Sequence, residues 1–255
     1  MKSIIQKVFK YFGFKIVKNS IIDKTETFLI KKKLVNNESP VIFDVGANKG
    51  QTIRNYLSIF PGAIIHAFEP NNIEAKKIKN QYDNFETVKI NNLAVGDKKE
   101  KLKFNIRACS GHSSFKKIIP GTKWLEERNK QFNKSGGDYT RETVDVDVIS
   151  IDDYTEEHNI QNIDILKIDT EGYEDKVLKG CENLLKKNKI KIIFLELILS
   201  EVYENPLNFY DIEKILNPYG FRLFTMTNGG SLLSDIKFKT DLIYVSEEIY
   251  QKFKK

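Results

Sequence analysis

The chain has 255 residues, of which 40% are hydrophobic and 30% are charged, and this length and apolar content suit one substantial domain with appendages. Its 41 basic and 35 acidic residues are interspersed and leave a net charge of +6, which is too diffuse to indicate a nucleic-acid partner. The two cysteines, Cys109 and Cys181, lie far apart without metal-ligand spacing. That spacing excludes a disulfide framework and a zinc site, and we expect a cytoplasmic protein.

Residues 1–39 are predicted to form an N-terminal helical appendage. Residues 2–12 place apolar side chains at helical spacing opposite lysines, and a second helix is predicted over about 21–35. Three surfaces suit the apolar stripe of the first helix: the core of the same domain, a second copy in a homo-oligomer, or the anionic inner face of the membrane. Lysines interrupt the apolar residues too often for a secretory signal, and the apolar run at 192–199 is too short to cross a bilayer.

From residue 40 to about 250, strand patterns alternate with helical patterns, which predicts an α/β domain with a mostly parallel sheet and helices on both faces. Helices are predicted over 50–60, 71–81, 150–158, 174–187 and 207–216, and strands over 41–45, 63–68, 86–91, 163–168 and 190–197. Two last strands, 221–227 and 242–245, are expected to pair antiparallel.

Residues 97–149 break this alternation. Strands are predicted over 101–106 and 143–150, and between them lies an irregular stretch that is rich in charge, glycine and serine. Long irregular insertions in compact domains are usually lids or binding loops. We therefore predict a lid-like insertion over the site.

Acids and glycines recur where predicted strands end, and ligands bind at those ends in open α/β sheets. After the first strand, Gly46 permits a positive φ, and Gly50 leaves the amides of the next helix free to meet a ligand. Asp44 would repel pyrophosphate, so this turn suits a ligand with an amino group. Glu69 follows about 20 residues later, where an acid accepts hydrogen bonds from ribose hydroxyls.

A resemblance to a known family rests on five motifs in order. They are DVGANKG at 44–50, AFEP at 67–70, NLAVGD at 92–97, SGHSS at 110–114, and IDILKIDTEGYE at 163–174 with VLKG at 177–180. Together they make residues 40–245 similar to the FkbM family of S-adenosylmethionine-dependent methyltransferases, and the last motif is the most specific.

This resemblance implies a Rossmann-like class I methyltransferase fold, with a seven-stranded, mostly parallel sheet that ends in an antiparallel strand pair. It also implies S-adenosyl-L-methionine as cofactor and O-methylation of a sugar hydroxyl in a glycan, glycoconjugate or natural-product precursor. Carried over by position, the cofactor-binding residues are Asp44, Gly46, Ala47, Asn48 and Gly50 for the amino-acid end, Glu69 for the ribose, and Asn92, Leu93 and Ala94 for the adenine.

Three residues are candidates for orienting or deprotonating the acceptor hydroxyl. Asp169 and Glu171 follow the strand at 163–168, next to where the methyl group should project. Alternatively, Asp169 binds cofactor amino groups, and Glu171 caps the next helix at the positive end of its dipole. His112 in the insertion is the third candidate, because an imidazole titrates near neutrality.

Charged residues inside predicted strands need partners. Lys167 requires a carboxylate if it is buried, and Asp44 or Glu196 would serve. A metal-dependent mechanism would use Asp169, Glu171 and Glu196 as hard oxygen ligands, but their spacing does not demand an ion and none is predicted.

Two other functions remain open on the same fold. A nicotinamide-dependent oxidoreductase is disfavoured because the turn lacks the middle glycine of a dinucleotide site and carries Asp44. A nucleotide-binding or membrane-docking module without catalysis is the non-enzymatic alternative.

Overall fold

The computed structural model describes residues 33–132, 137–227, 231–233, 236–237 and 239–254. The helix predicted over 2–12 and most of the one over 21–35 lie outside these residues. Residue contacts divide the chain into two compact units, residues 1–36 and 37–255. Within the described ranges, no helix is long and apolar enough to cross a membrane.

The larger unit is built on a seven-stranded sheet with the order β3-β2-β1-β7-β8-β12-β9. Its strands are β1 (Val41–Val45), β2 (Ile64–Phe68), β3 (Val88–Asn91), β7 (Ile163–Ile168), β8 (Ile190–Ile198), β9 (Arg222–Met226) and β12 (Lys239–Val245). The short strands β10 (Ser231–Leu233) and β11 (Ile236–Lys237) pair with each other in a separate sheet. Only β12 runs against its neighbours among these seven strands, and it pairs antiparallel with both β8 and β9. The predicted mostly parallel sheet and its final antiparallel pair are confirmed.

The described part of the larger unit has eight α-helices, of which all but the last lie between strands. They are α1 (Gln51–Ile59), α2 (Asn72–Gln81), α3 (Lys123–Gln131), α4 (Ile151–Glu157), α5 (Glu174–Lys179), α6 (Glu182–Lys186), α7 (Phe209–Leu216) and α8 (Glu247–Phe253). On one face of the sheet, Tyr154 of α4 packs edge-on against Phe43 with ring centroids 5.7 Å apart. Asp44 is the next residue of β1 and points to the opposite face, where Tyr56 of α1 is its electrostatic neighbour.

The single helix predicted over 174–187 is wrong, because the chain forms α5 and α6 with a break at Gly180 and Cys181. A Cβ at Gly180 would lie 2.0 Å from the Gly96 carbonyl oxygen, so the backbones pass too closely for any other residue. The Asp152 carboxylate then accepts hydrogen bonds from two amides at the start of α6. The C-terminal helix α8 was not expected from the sequence.

The insertion is more ordered than its sequence suggests. Strands β4 (Ala94–Val95), β5 (Glu100–Arg107) and β6 (Thr140–Ile149) form a second sheet, so the two strands predicted there are confirmed. Between β5 and β6 the chain adds a short 3₁₀ turn, Ser110–His112, and the helix α3. Trp124 and Leu125 of α3 are buried in a small apolar cluster with Tyr139 and Tyr203. Movement of the insertion as a lid stays a prediction.

Candidate functional site

A cavity opens at the carboxyl ends of β1, β2 and β7. The strand order reverses between β1 and β7, which is the place where open α/β sheets bind ligands. Seven predicted site residues line the cavity: Gly46, Asn48, Glu69, Leu93, Ala94, Asp169 and Glu171. Five do not line it: Asp44, Ala47, Gly50, Asn92 and His112.

The turn after β1 lies directly against the end of β7. Gly46 has a φ of 82°, and a Cβ there would lie 1.9 Å from the Asp169 carbonyl oxygen. Both the backbone conformation and this close approach require glycine. Gly50 also has a positive φ and is the N-cap residue just before α1. The glycines thus bring the turn and Asp169 into one wall of the cavity.

Glu69 is a buried carboxylate at the end of β2, with 6% of its surface exposed. Its Oε2 accepts a hydrogen bond of 2.8 Å from the Asn48 amide, and its Oε1 accepts one of 2.8 Å from the Asn71 amide. Burial raises the pKa of Glu69 to about 7, although these two amides oppose the rise. The carboxylate is therefore held rigidly between the β1 turn and the start of α2.

Asn92 supports this wall from behind. Its side-chain amide donates to the carbonyl oxygens of Glu69 and Pro70 at 2.9 and 3.1 Å, which fixes the chain after β2. The neighbouring Leu93 and Ala94 line the cavity. Phe68 and Phe104 also line it, so this part of the cavity offers an apolar slot for a flat ring.

Lys167 of β7 joins the two halves of the site. Its Nζ lies 3.1 Å from Asp44 Oδ1 and 3.3 Å from Asp169 Oδ2, and it donates to the Gly46 carbonyl oxygen at 3.0 Å. Burial opposes the charge on Lys167, but Asp169 and Asp44 outweigh that effect and raise its pKa above the usual value. The prediction that a buried Lys167 pairs with a carboxylate is confirmed, and of its two candidate partners, Asp44 and Glu196, the structure shows Asp44.

Asp44 is fully buried beneath the cavity, and its contact with Lys167 is ionic. Within the described part of the chain, neither carboxylate oxygen has a partner in hydrogen-bonding geometry. Asp44 therefore holds Lys167, and through it the Gly46 turn, from outside the cavity lining.

Three carboxylates converge at the ends of β7 and β8. Oxygens of Asp169, Glu171 and Glu196 lie within 4.8 Å of one another. Burial, reinforced by the charge of Asp169, raises the pKa of Glu171 to about 8 and that of Glu196 to about 7. The Lys239 ammonium bonds to Glu196 at 2.5 Å. This lysine offsets part of the negative charge, and the absence of a metal from the cluster stays a prediction.

Glu171 reaches this cluster through a turn and not by strand alternation. Strand β7 ends at Ile168, and Glu171 has a left-handed φ of 55°. Glu171 does not hold the N-cap position of α5, which is Tyr173, and the acids in the first turn of that helix are Glu174 and Asp175. The Glu171 carboxylate instead accepts a hydrogen bond of 2.7 Å from the Tyr203 hydroxyl.

His112 lies outside the cavity lining, among aromatic side chains. Its Nδ1 is 3.1 Å from the Tyr139 hydroxyl, and its ring centroid is 5.6 Å from that of Trp124. Burial, helped by nearby Arg128, lowers the pKa of His112 to about 4. The imidazole is therefore neutral and weakly basic at pH 7, and its catalytic role stays a prediction.

Three residues of this region were missed from the sequence: Arg107, Tyr203 and Lys239. Lys239 could have been predicted from the sequence, because a glutamate inside a strand, such as Glu196, needs a cation just as Lys167 needs a carboxylate. Tyr203 and Arg107 could not, since both meet Glu171 or its neighbours only through tertiary packing.

The seven-stranded sheet with β12 reversed and the cavity at the β1–β7 switch point define the class I methyltransferase fold. The site of this fold also has a carboxylate after β2 and a glycine turn after β1, and both are present here. The chain belongs to the FkbM methyltransferase family, since the family model described as Methyltransferase FkbM domain matches residues 44–223. The family and fold expected from the motifs are confirmed.

One relative and one solved structure illustrate the match. The chain is 23% identical over 174 residues to 2-O-methyltransferase NoeI of Sinorhizobium fredii (strain NBRC 101917 / NGR234), covering 68% of this chain and 70% of the relative. Methyltransferase FkbM from Methylobacillus flagellatus KT superposes with a TM-score of 0.53 at 15% identity. That alignment covers 83% of this chain but only 45% of the solved chain, and it supports the fold alone.

Proposed function

We propose that this methyltransferase uses S-adenosyl-L-methionine to methylate a sugar hydroxyl in a glycan, glycoconjugate or natural-product precursor. One observation carries the proposal: a single cavity is lined by the Glu69 carboxylate after β2 and by Asp169 and Glu171 after β7. The relative named 2-O-methyltransferase NoeI supports oxygen as the acceptor atom.

Glu69 and the apolar residues near it fit the nucleoside part of the cofactor. A carboxylate has about four acceptor positions, and two backbone amides occupy only two of those of Glu69. The remaining positions suit the two ribose hydroxyls, and Leu93, Ala94 and Phe68 suit the adenine ring. When bound, this cofactor supplies a methyl group on an electrophilic sulfonium.

The charges of the site favour this cofactor over a nicotinamide dinucleotide. Glu69 and Asp169 line the cavity, and the Lys167 ammonium is already held by two carboxylates and a carbonyl oxygen. A pyrophosphate would meet these acids without a free cation in the described lining, whereas a cationic sulfonium and an ammonium are attracted by them.

Asp169 and Glu171 are proposed to handle the acceptor. Carboxylates accept hydrogen bonds from sugar hydroxyls, and Asp169 orients the acceptor oxygen in this way. Glu171 then takes up the hydroxyl proton as the new bond forms, and a base with a pKa of about 8 is well matched to that task near neutrality.

Thermal shift measurements of the full chain test the choice of cofactor. S-adenosylmethionine is expected to raise the melting temperature, and a nicotinamide dinucleotide is expected to leave it unchanged, because only a ligand that binds the folded state stabilises it. The reverse pattern would contradict the proposal and favour an oxidoreductase.

A further inference from the structure

Tyr203 lies between Glu171, which lines the cavity, and a buried arginine. It follows β8 in a loop, and only 2% of its surface is exposed. Its hydroxyl donates to Glu171 Oε2 at 2.7 Å, and the Arg107 guanidinium lies 5.5 Å from the centroid of its ring. The tyrosine therefore has one end on a cavity carboxylate and its ring face on a fixed cation.

The position of Arg107 is itself tightly fixed. Its side chain has no exposed surface, and it donates to the carbonyl oxygens of His112 and Lys116. The Ser113 hydroxyl accepts from the Arg107 amide at 3.1 Å. These contacts tie the end of β5 to the loop that supplies Ser110, Gly111 and Ser113 to the cavity.

The backbone of Glu171 is held by the same loop. The Ser114 hydroxyl donates to the Glu171 carbonyl oxygen at 2.7 Å. Because Glu171 has a left-handed φ, its turn needs such support from its surroundings. Ser114 thus fixes the backbone of Glu171, while Tyr203 fixes its carboxylate.

We propose that Tyr203 is a positioning residue for methyl transfer: its hydroxyl holds the Glu171 carboxylate toward the acceptor, and Arg107 holds the tyrosine. This inference rests on the proposed function, because it assumes that Glu171 receives the acceptor proton. It assigns to Tyr203 no contact with substrate or cofactor.

Several titratable groups surround Glu171 and would act on its carboxylate if the tyrosine hydroxyl were removed. Asp169 lies in the same turn, Glu196 faces it from β8, and Lys239 faces it from β12. Tyr139, which precedes β6, is a further electrostatic neighbour. The two acids repel the carboxylate, and Lys239 is already bonded to Glu196, so without Tyr203 the side chain is expected to lose its fixed orientation toward the acceptor.

The test uses Tyr203→Phe, which retains the ring over Arg107 and removes only the hydroxyl. Tyr244→Phe is a matched control, because Tyr244 is also buried and also donates to a glutamate, Glu213, at 2.7 Å. The two variants lose the same kind of buried hydrogen bond at different places. A general loss of stability would affect both.

The first readout needs no substrate. NMR titration of carbon-13-labelled glutamate carboxyl groups in the full chain follows Glu171, whose signal is assigned by its absence in Glu171→Gln. Loss of the donated hydrogen bond is expected to move the Glu171 midpoint to higher pH in Tyr203→Phe and to leave it in place in Tyr244→Phe. An unmoved midpoint in Tyr203→Phe, or an equal shift in both variants, overturns the inference.

The second readout is methyl transfer from S-adenosylmethionine to a panel of methyl glycosides of the common hexoses and deoxyhexoses. In Tyr203→Phe, kcat is expected to fall by about 10- to 100-fold with an unchanged KM for the cofactor, whereas Tyr244→Phe should retain the wild-type kcat. If Glu171→Gln is fully active, the proposed role of Glu171 fails. If Glu171→Gln is slow but Tyr203→Phe is as fast as Tyr244→Phe, only the positioning role fails.

Discussion

Replacing Glu171 by Gln is expected to stabilise the free protein while it slows methyl transfer. The pKa of Glu171 rises from its ordinary 4.5 to about 8 in the folded chain, so the folded state holds its proton more tightly than the unfolded state. The stability that this proton provides is complete below pH 4.5 and is lost as the pH rises toward 8. Glutamine does not ionise, so the variant does not lose this stability as the pH rises. Its side-chain oxygen can still accept a hydrogen bond from the Tyr203 hydroxyl.

The size of the effect follows from the rise in pKa. At 1.36 kcal/mol per pKa unit, the ionisation of Glu171 costs about 4 kcal/mol at pH 8 and about 1 kcal/mol at pH 5. Part of this cost is repulsion from Asp169 and Glu196, and small movements of the three side chains relieve some of it. We therefore expect a net gain of about 2 kcal/mol at pH 8, which corresponds to about 4–8 °C in melting temperature.

Urea unfolding at pH 5 and pH 8 measures this gain, with Glu201→Gln as a control because Glu201 is an exposed glutamate in the segment that leads to Tyr203. The Glu171→Gln variant should exceed the wild type at pH 8 and approach it at pH 5, while the control should match the wild type at both. A variant that is less stable than the wild type at pH 8, or one that keeps the wild-type pH dependence, would refute the reasoning.

Three further substitutions test other parts of the site. Lys167→Met should lower the free energy of unfolding by about 3–5 kcal/mol in urea titrations, because it leaves Asp44 buried without its cation. Gly46→Ala should abolish cofactor binding or folding, measured by calorimetry and circular dichroism, because its Cβ would clash with the Asp169 carbonyl oxygen. Glu69→Gln should weaken cofactor binding at least 10-fold at pH 8, and the wild type should itself bind more weakly as the pH falls through about 7, where Glu69 becomes protonated.

Each of these has a matched control in the chain. Lys101→Met breaks an exposed ion pair and should cost less than about 1 kcal/mol. Gly137→Ala shares the positive φ but has no atom within 4 Å of the added Cβ, so it should fold. Glu86→Gln removes an exposed acid and should bind cofactor normally. Equal effects in a variant and its control would show that the local contacts in question are not responsible.

The sheet could be predicted from the sequence because its strands are short apolar runs bounded by turns. Residues 163–168 form β7 as predicted, and their apolar side chains are buried as a central parallel strand requires. The partner of Lys167 was also predictable, since a buried ammonium needs a carboxylate and Asp44 was one of two available. These inferences need only local pattern and charge balance.

Other features depend on contacts between distant segments and left no local signal. The break at Gly180 arises from the close approach of Gly96, more than 80 residues earlier in the sequence. The convergence of Glu171 with Glu196 depends on a left-handed turn that strand periodicity does not predict. The order within the described parts of residues 107–141 comes from α3, which packs its buried side chains against the loop that carries Tyr203.

The most direct test of the proposed activity follows the methyl group itself. The full chain is incubated with S-adenosylmethionine carrying a carbon-13 methyl group and with glycan precursors from its host, and the products are analysed by mass spectrometry. The proposed function predicts one labelled methyl ether on a sugar hydroxyl, and its absence from Glu171→Gln reactions. Label on nitrogen, on carbon or on nucleic acid, or no transfer by a chain that binds the cofactor, would contradict it.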